Sequence, residues 1–477
     1  MTPSGSAGYG VHMRSAFLCG LCFVGSVATA AELTDVASSF DDDNPFDLRL
    51  RVGYAHEWKS ASIKREIELS GQDEIVNYKD LLYARSRDLL GMRLELGLFQ
   101  DLMLYGELPL VLRDSRDYKF DQSLGKGCVY PGQGTTANCV NGSNSSTLAD
   151  GIVPQAGYDA TLSTPTTPIG FPPASDLVFR GVARGGSGLD ALDTINLGLA
   201  WAPLSQKRDD TKPTWIINFE GQISVGNIMK FDRAMPDANH GVSEGLHRLF
   251  FRTMVSHRFR FFEPYLGFWY MLPVARDDGL FIDYGQTQKF KGPQQAGGTV
   301  FGFEAIPYDR KDGKFKIALD LRGRIEAKFD GRGYSEAWEF LASSPALACD
   351  PKWNPACDST KISNPYQGKP YTGLTRIENY ATLGAEAALV LQLSKYARLN
   401  LSLQYTHDQG HRISSDDVGQ AYNPNVGDGC SSAIGARVMR PCEYNPAFRS
   451  VINQVGRRYF VDNVDLLRIG VWAQAMF

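Results

Sequence analysis

What this chain lacks narrows it first. After residue 30, no stretch approaches the roughly 20 consecutive apolar residues that a membrane helix requires, although 43% of its 477 residues are hydrophobic. It has no basic block and no stripe of aromatic and basic residues. With 49 lysines and arginines against 53 acids the net charge is −4, so nucleic acid has no electrostatic footprint to meet. No composition shift or linker divides residues 46–477, which argues for one architecture rather than a string of soluble domains. The Gly185-Gly186-Ser187-Gly188 cluster has no helix after it to cradle phosphate. Asp41-Asp42-Asp43-Asn44 lacks the periodic oxygen ligands of a calcium loop.

What is present begins with a leader. Met13-Arg14 supplies a basic start, Ala16 to Val27 is apolar or small, and Ala28-Thr29-Ala30 has the small-x-small form of a cleavage site. No small residue directly precedes Cys19 or Cys22 in a lipobox. Residues 1–31 are therefore expected to be an N-terminal extension and signal peptide, 32–45 a periplasmic tail, and 46–477 the mature fold.

That fold is written in alternation. Abundant glycine (48), phenylalanine (26) and tyrosine (21) accompany a mean hydropathy of only −0.25. In 315–329, Phe315, Ile317, Leu319, Leu321, Ile325 and Phe329 share one face, and Lys316, Asp320, Arg322, Arg324, Glu326 and Lys328 the other. The split recurs at Leu48, Leu50, Val52 and Tyr54 against Asp47, Arg49 and Arg51, and at Met92, Leu94, Leu96 and Leu98 against Arg93 and Glu95. A strand greasy on one side and charged on the other suits a wall between lipid and a polar interior. In a bilayer only a closed barrel satisfies every backbone group of such strands. The expectation is all-β: a single closed antiparallel barrel of about 12 strands, over 46–58, 86–98, 102–113, 193–203, 214–226, 247–258, 264–273, 298–307, 314–329, 376–392, 397–407 and 463–477. Short connections such as Phe99-Gln100-Asp101 alternate with long ones such as 114–192, 330–375 and 408–462, the pattern of short periplasmic turns and long extracellular loops. Two segments resist: 264–272 is apolar on both faces, and Pro109 calls for a bulge within its strand.

Six cysteines follow the leader as three local pairs, Cys128 with Cys139, Cys349 with Cys357, and Cys430 with Cys442. All three fall in long connections, which places them on one side of the membrane. Nearest-neighbour disulfides are expected, each contributing about 2–3 kcal/mol; no pair has the tight C-x-x-C spacing of a zinc site.

The C-terminal Leu466-Leu467-Arg468-Ile469-Gly470-Val471-Trp472-Ala473-Gln474-Ala475-Met476-Phe477 resembles the closing strand of Gram-negative outer-membrane β-barrels, aromatic at its last residue. It departs from their pattern at Trp472, where glycine is usual, and at Ala475. The hairpin text Leu94-Glu95-Leu96-Gly97-Leu98-Phe99-Gln100-Asp101-Leu102 is similar to that of porin-like barrels. The resemblance implies an integral outer-membrane location, with lipid, lipopolysaccharide, periplasmic chaperones and the barrel-assembly machinery as partners.

Chemistry is sparse by comparison. A nucleophilic hydrolase needs serine, histidine and an orienting group at the lipid-facing rim, yet His56, His247, His257 and His407 lie in no matching motif. His407, Asp408 and His411 cluster without helical spacing for a metal. No enzyme activity, cofactor or metal is expected. The interior charges carry the functional expectation: Arg49, Arg51, Arg93, Glu95, Glu107, Glu220, Asp320, Arg322, Arg324, Glu326, Glu386 and Arg468 as pore-lining residues, accompanied on inward faces by Asp47, Arg252, Glu304 and Glu378. Either they line a water-filled path for a small solute or they pair into a plug, because twelve strands lie between a filled barrel and an open one. The first reading is a passive channel or transporter for small solutes; the alternative is a structural or adhesive surface barrel acting through its stapled loops, with an outer-membrane hydrolase behind it. Leu319→Arg is expected to cost about 2–4 kcal/mol on the lipid face, and Asp320→Asn little.

Overall fold

The computed structural model describes residues 31–40, 46–69, 74–121, 145–153, 177–231, 239–281, 292–310, 315–344, 347, 371–416 and 448–477. The six paired cysteines lie outside the described residues.

Twelve antiparallel strands form one closed barrel: β1 Leu48–Leu69, β2 Glu74–Phe99, β3 Leu102–Phe120, β4 Thr194–Leu204, β5 Thr214–Ser224, β6 Leu246–Ser256, β7 Phe262–Ala275, β8 Ala296–Asp309, β9 Lys316–Lys328, β10 Tyr380–Ser394, β11 Ala397–Asp408 and β12 Tyr459–Met476. Each of the twelve expected segments lies on one of them. Neighbours in sequence are neighbours in the sheet, and the last strand returns to the first with Arg49 opposite Met476 and Tyr54 opposite Val471. Closure removes the unpaired edges that an open sheet would expose. Among the described residues no helix is long and apolar enough to cross a membrane.

The alternation sorts as the sequence implies. Leu50, Val52, Leu94, Leu199, Phe219, Phe268, Leu319, Leu401 and Ile469 are exposed on the outside, while Arg49, Glu95, Glu304 and Asp320 on the other parity are buried. The segment apolar on both faces belongs here too. In β7, Leu266, Phe268, Tyr270 and Leu272 are exposed outside, and Tyr265, Trp269 and Met271 point into the lumen.

Trp472 has a physical reason to stand where glycine is usual. Its ring lies inside the barrel over Gly53 and Gly91, where an added Cβ would come within 2.1 Å and 2.5 Å of it. The space that glycine normally leaves on the closing strand is left here by the two strands beside it.

Two expectations need correction. The bulge falls at Leu112, not Pro109: Asp88 pairs with Arg113 and Leu89 with Val111, leaving Leu112 unmatched, while Pro109 stays in register with Gly91. Beyond Glu107 the β3–β4 ladder has ended, so the amide that proline lacks is not missed there. Second, 59–85 is not a loop. β1 and β2 continue as a hairpin through Ile67 opposite Val76, and β1, β2, β3 and β12 have 22, 26, 19 and 18 residues where about 9–11 suffice to cross a bilayer. They form a tall wall on one side of the barrel.

Along this tall part the pattern inverts. Ile63, Leu81, Tyr83, Tyr118, Tyr459 and Val461 point inward and are buried, against segments of the long connections that carry Ile152, Phe340, Leu341, Ile413 and Ile452. Above the apolar band the wall is wet outside and dry inside, like a soluble sheet with a core. That core forms a dome over one mouth. Its charges are neutralised locally: Glu339, buried, meets Arg116 at 3.0 Å and Arg184 at 2.9 Å, and Arg65, also buried, meets Asp150 at 2.5 Å.

Candidate functional site

The opposite mouth has the short connections and a strap across it. Residues 32–40, expected as part of the periplasmic tail 32–45, lie inside the barrel together with Ala31. Ala31, Thr34, Ala37, Ser38 and Ser39 are all buried. At one end the Ala31 N–H donates to Glu263 Oε1 at 2.6 Å and the Thr34 hydroxyl meets Ser256 Oγ at 2.8 Å. At the other, Ser39 Oγ donates to the Gly97 carbonyl at 2.7 Å and the Asp101 N–H donates to Ser38 Oγ at 2.9 Å. Between them Asp35 pairs with Arg49 at 3.0 Å and Arg398 at 3.4 Å. Burial pushes the Asp35 carboxyl up, but the two guanidiniums outweigh it and hold it at about 2. The strap stays in the lumen because short polar side chains there find fixed partners on the strand ends.

Between strap and dome lies a chamber of about 590 Å³, with Leu33 of the strap at its floor and Tyr334, Glu336 and His411 at its ceiling. One wall is apolar, from Phe250, Met254, Trp269, Met271 and Val300 of β6 to β8, with the Phe250 and Trp269 rings 5.9 Å apart. Charge is interspersed with it: Arg248 and Arg252 flank Phe250 on β6, and Lys59, Arg85, Arg322, Arg324, Lys328 and Arg332 complete the cationic lining, against Glu244, Glu326 and Glu336.

Most of these cations are already matched. Lys59 meets Glu336 at 2.7 Å, Arg85 meets Asp114 at 2.5 Å, Arg248 meets Glu244 at 2.5 Å and Arg332 meets Asp416 at 2.6 Å. Burial raises the Glu336 carboxyl, yet Lys59 holds it down to about 2. Among the described residues Arg252 has no ion pair, and the nearest carboxylate to Arg324 is Glu386 at 3.9 Å.

Of the twelve residues singled out in the sequence, Arg322, Arg324 and Glu326 border the chamber. The rest are on inward positions away from the chamber, most of them bound to neighbouring lumen residues or to the strap. Arg49 meets Asp47 at 2.8 Å besides Asp35; Arg93 meets Glu95 at 2.7 Å and Glu107 at 3.3 Å and lies 3.9 Å over the Tyr105 ring. The Tyr105 hydroxyl donates to Glu220 at 2.6 Å. Asp320 is buried, accepting from Arg322 and, at 2.5 Å, from Tyr265; Arg322 also meets Glu386 at 3.4 Å. Arg468 meets Glu57 at 3.5 Å, and Arg51 is half-buried. Lys59, Arg85 and Arg332 were missed because they sit in strand extensions and loop segments that carry no lipid-facing alternation.

The His407, Asp408, His411 cluster does not converge. His407 points outward to Asp465 at 2.8 Å, Asp408 inward to Thr382 at 2.6 Å, and His411 stacks on Tyr380 with centroids 3.7 Å apart. Among the described residues no group of three histidines, cysteines or acids is placed to hold a metal.

A closed twelve-stranded antiparallel barrel with an apolar outer band and a charged interior defines the class: an integral β-barrel of the bacterial outer membrane. No protein-family model matches the chain, and no curated protein matches it. Solved structures that it is similar to include an outer membrane channel from Pseudomonas putida F1, 9% identical with a TM-score of 0.36 over 90% of this chain and 95% of that one. A FadL homologue from Pseudomonas aeruginosa is 7% identical, TM-score 0.29, over 90% of each chain. The outer membrane protease OmpT from Escherichia coli is 6% identical, TM-score 0.26, over 93% of this chain and 98% of that one.

Proposed function

We propose that the chain is a passive outer-membrane channel for small solutes, gated at the short-connection mouth by residues 31–40. The chamber carries this reading. A barrel meant only as a scaffold can fill its lumen with side chains, whereas this one keeps about 590 Å³ between its two closures, within the range of small-molecule sites. The strap is held by hydrogen bonds, ion pairs and the packing of Ala31, Val36 and Ala37 against Met103, Tyr105 and Met254, none of which belongs to the barrel ladder, so its displacement leaves that ladder whole. Arg252, without an ion pair among the described residues, and Arg324, which shares Glu386 with Arg322, give the path an excess of positive charge, which favours anions. The long connections face outside the cell in this reading, and Cys128–Cys139, Cys349–Cys357 and Cys430–Cys442 staple them.

Planar bilayers test it. Refolded protein is expected to give conductance steps, and a deletion of 32–40 to lengthen the open intervals. Protein that inserts, shows a heat-modifiable band and never conducts, with or without the strap, overturns the channel. The described parts of the long connections pack inward under the dome, so nothing in their geometry favours the adhesive reading over this one.

A further inference from the structure

The outer wall carries a constellation that a channel does not use. Tyr54, His56 and Trp58 of β1 point away from the lumen, and Ser86 and Asp88 of β2 pair with Trp58 and His56 across the ladder. Asp88 Oδ1 lies 2.6 Å from His56 Nδ1, and Ser86 Oγ lies 3.2 Å from His56 Nε2. The Tyr54 hydroxyl donates to the same Asp88 oxygen at 2.6 Å. We propose that Ser86, His56 and Asp88 are a serine-hydrolase triad on the lipid-facing wall, acting on the acyl esters of outer-membrane lipids.

The wiring is the one a triad needs. With Nδ1–H donated to Asp88, the tautomer is fixed and the Nε2 lone pair faces the serine hydroxyl. Tyr54 holds the carboxylate from its other side. The side chains of His56 and Asp88 are 22% and 25% exposed, open to an approaching substrate. Height selects that substrate. On one side of the cluster Val52, Tyr54 and Leu94 belong to the apolar band; on the other, Ser60 is exposed and the tall wall turns polar. Lipid ester carbonyls sit at that boundary. Arg113, exposed and paired with Asp88 across β2 and β3, offers a cation to a head-group phosphate or to the developing oxyanion.

A second site on the same barrel provides an internal contrast. Tyr405 donates to Asp465 at 2.5 Å, and His407 meets Asp465 at 2.8 Å, the same tyrosine–aspartate–histidine arrangement on β11 and β12. No serine hydroxyl lies within hydrogen-bond distance of His407 among the described residues. The shared part is a girdle feature; the nucleophile is specific to β1 and β2.

In the reaction, Ser86 Oγ adds to the ester carbonyl while its proton passes to His56 Nε2. The tetrahedral intermediate collapses, the alkoxide leaves with that proton, and an acyl-serine remains. Water attacks the acyl group, gives a proton to His56, and releases the fatty acid; His56 returns the proton to Ser86. The sum is ester plus water to acid plus alcohol.

The test uses folded full-length protein in mixed micelles, with phosphatidylethanolamine in one arm and lipopolysaccharide in another, and measures released fatty acid by mass spectrometry. A fluorophosphonate probe reports the nucleophile independently. Fatty acid is expected from at least one arm, and the arm identifies the lipid. The probe is expected on the peptide carrying Ser86. Ser86→Ala and His56→Asn are expected to lower release by at least 100-fold, and His407→Asn to leave it unchanged. Ser86 is half-exposed, so the alanine variant should retain the heat-modifiable band that certifies folding. No release in either arm together with no labelling of Ser86, or release that persists undiminished in Ser86→Ala, overturns the assignment. Neither result bears on the channel, which the bilayer measurement decides.

Discussion

Asp35→Asn is the sharpest probe of the strap. Asp35 lies between Arg49 and Arg398, and its carboxyl is held at about 2 against an ordinary 3.8. At about 1.4 kcal/mol for each factor of ten in proton affinity, that difference makes the attachment about 2 kcal/mol stronger with the charge than without it. Arg49 keeps Asp47 at 2.8 Å when Asp35 is neutralised, whereas Arg398, which has no other ion pair among the described residues, loses its partner, so the loss falls on the strap and on β11 together. About 2 kcal/mol changes the docked-to-undocked ratio roughly 30-fold. Single-channel recording should therefore show the open fraction of Asp35→Asn rising by about that factor, and limited proteolysis should nick 31–40 faster by a similar one. The acid response has a defined sign. A depressed carboxyl contributes its stability fully above 3.8 and loses it as pH falls through about 2. Wild type should loosen as pH falls from 4 toward 2, while the asparagine variant lacks that step. Equal open fractions and equal nicking rates in the two proteins would refute the latch.

Five further outcomes are expected. Arg252→Gln with Arg324→Gln should shift the reversal potential in a KCl gradient toward cations, and an unchanged potential would place the selective charge elsewhere. Leu319, exposed on the outer wall, should cost about 2–4 kcal/mol as arginine by equilibrium refolding into bilayers. Asp320→Asn, expected from the sequence to be innocuous, should instead cost about 1–3 kcal/mol, since Asp320 is buried and accepts from both Tyr265 and Arg322. Phe340→Ala should destabilise the dome by about 3–5 kcal/mol in a denaturant titration that leaves the heat-modifiable band intact. For the cysteines, non-reduced peptide mapping should find the three nearest-neighbour bonds, with crosslinks between different loops overturning the pairing.

The barrel was legible because lipid imposes a strict period-two code on a strand such as Lys316–Lys328, and Leu319 beside Asp320 leaves no other reading. The code fails where lipid stops. Ile63 and Leu81 are apolar toward the lumen, opposite in sense to Leu50 and Leu94, so 59–85 read as loop although it is ladder. The strap was illegible for another reason: Asp35, Ser38 and Ser39 look like solvated tail, and only the partners brought by β1, β2 and β11 make them buried. The outer cluster needed register. His56 was visible as a histidine, but Ser86 and Asp88 reach it only because β1 and β2 pair with His56 opposite Asp88.

The dome depends on the seam. Its core draws Ile63 and Leu81 from the first hairpin, Ile152 and Phe340 from connections far along the chain, and Tyr459 and Val461 from the last strand. Tyr459 and Val461 take their places beside the first hairpin only where β12 is zipped onto β1, Val461 opposite Ile63. The roof therefore reaches its full core only in a barrel whose seam is shut, and opening the seam unmakes both.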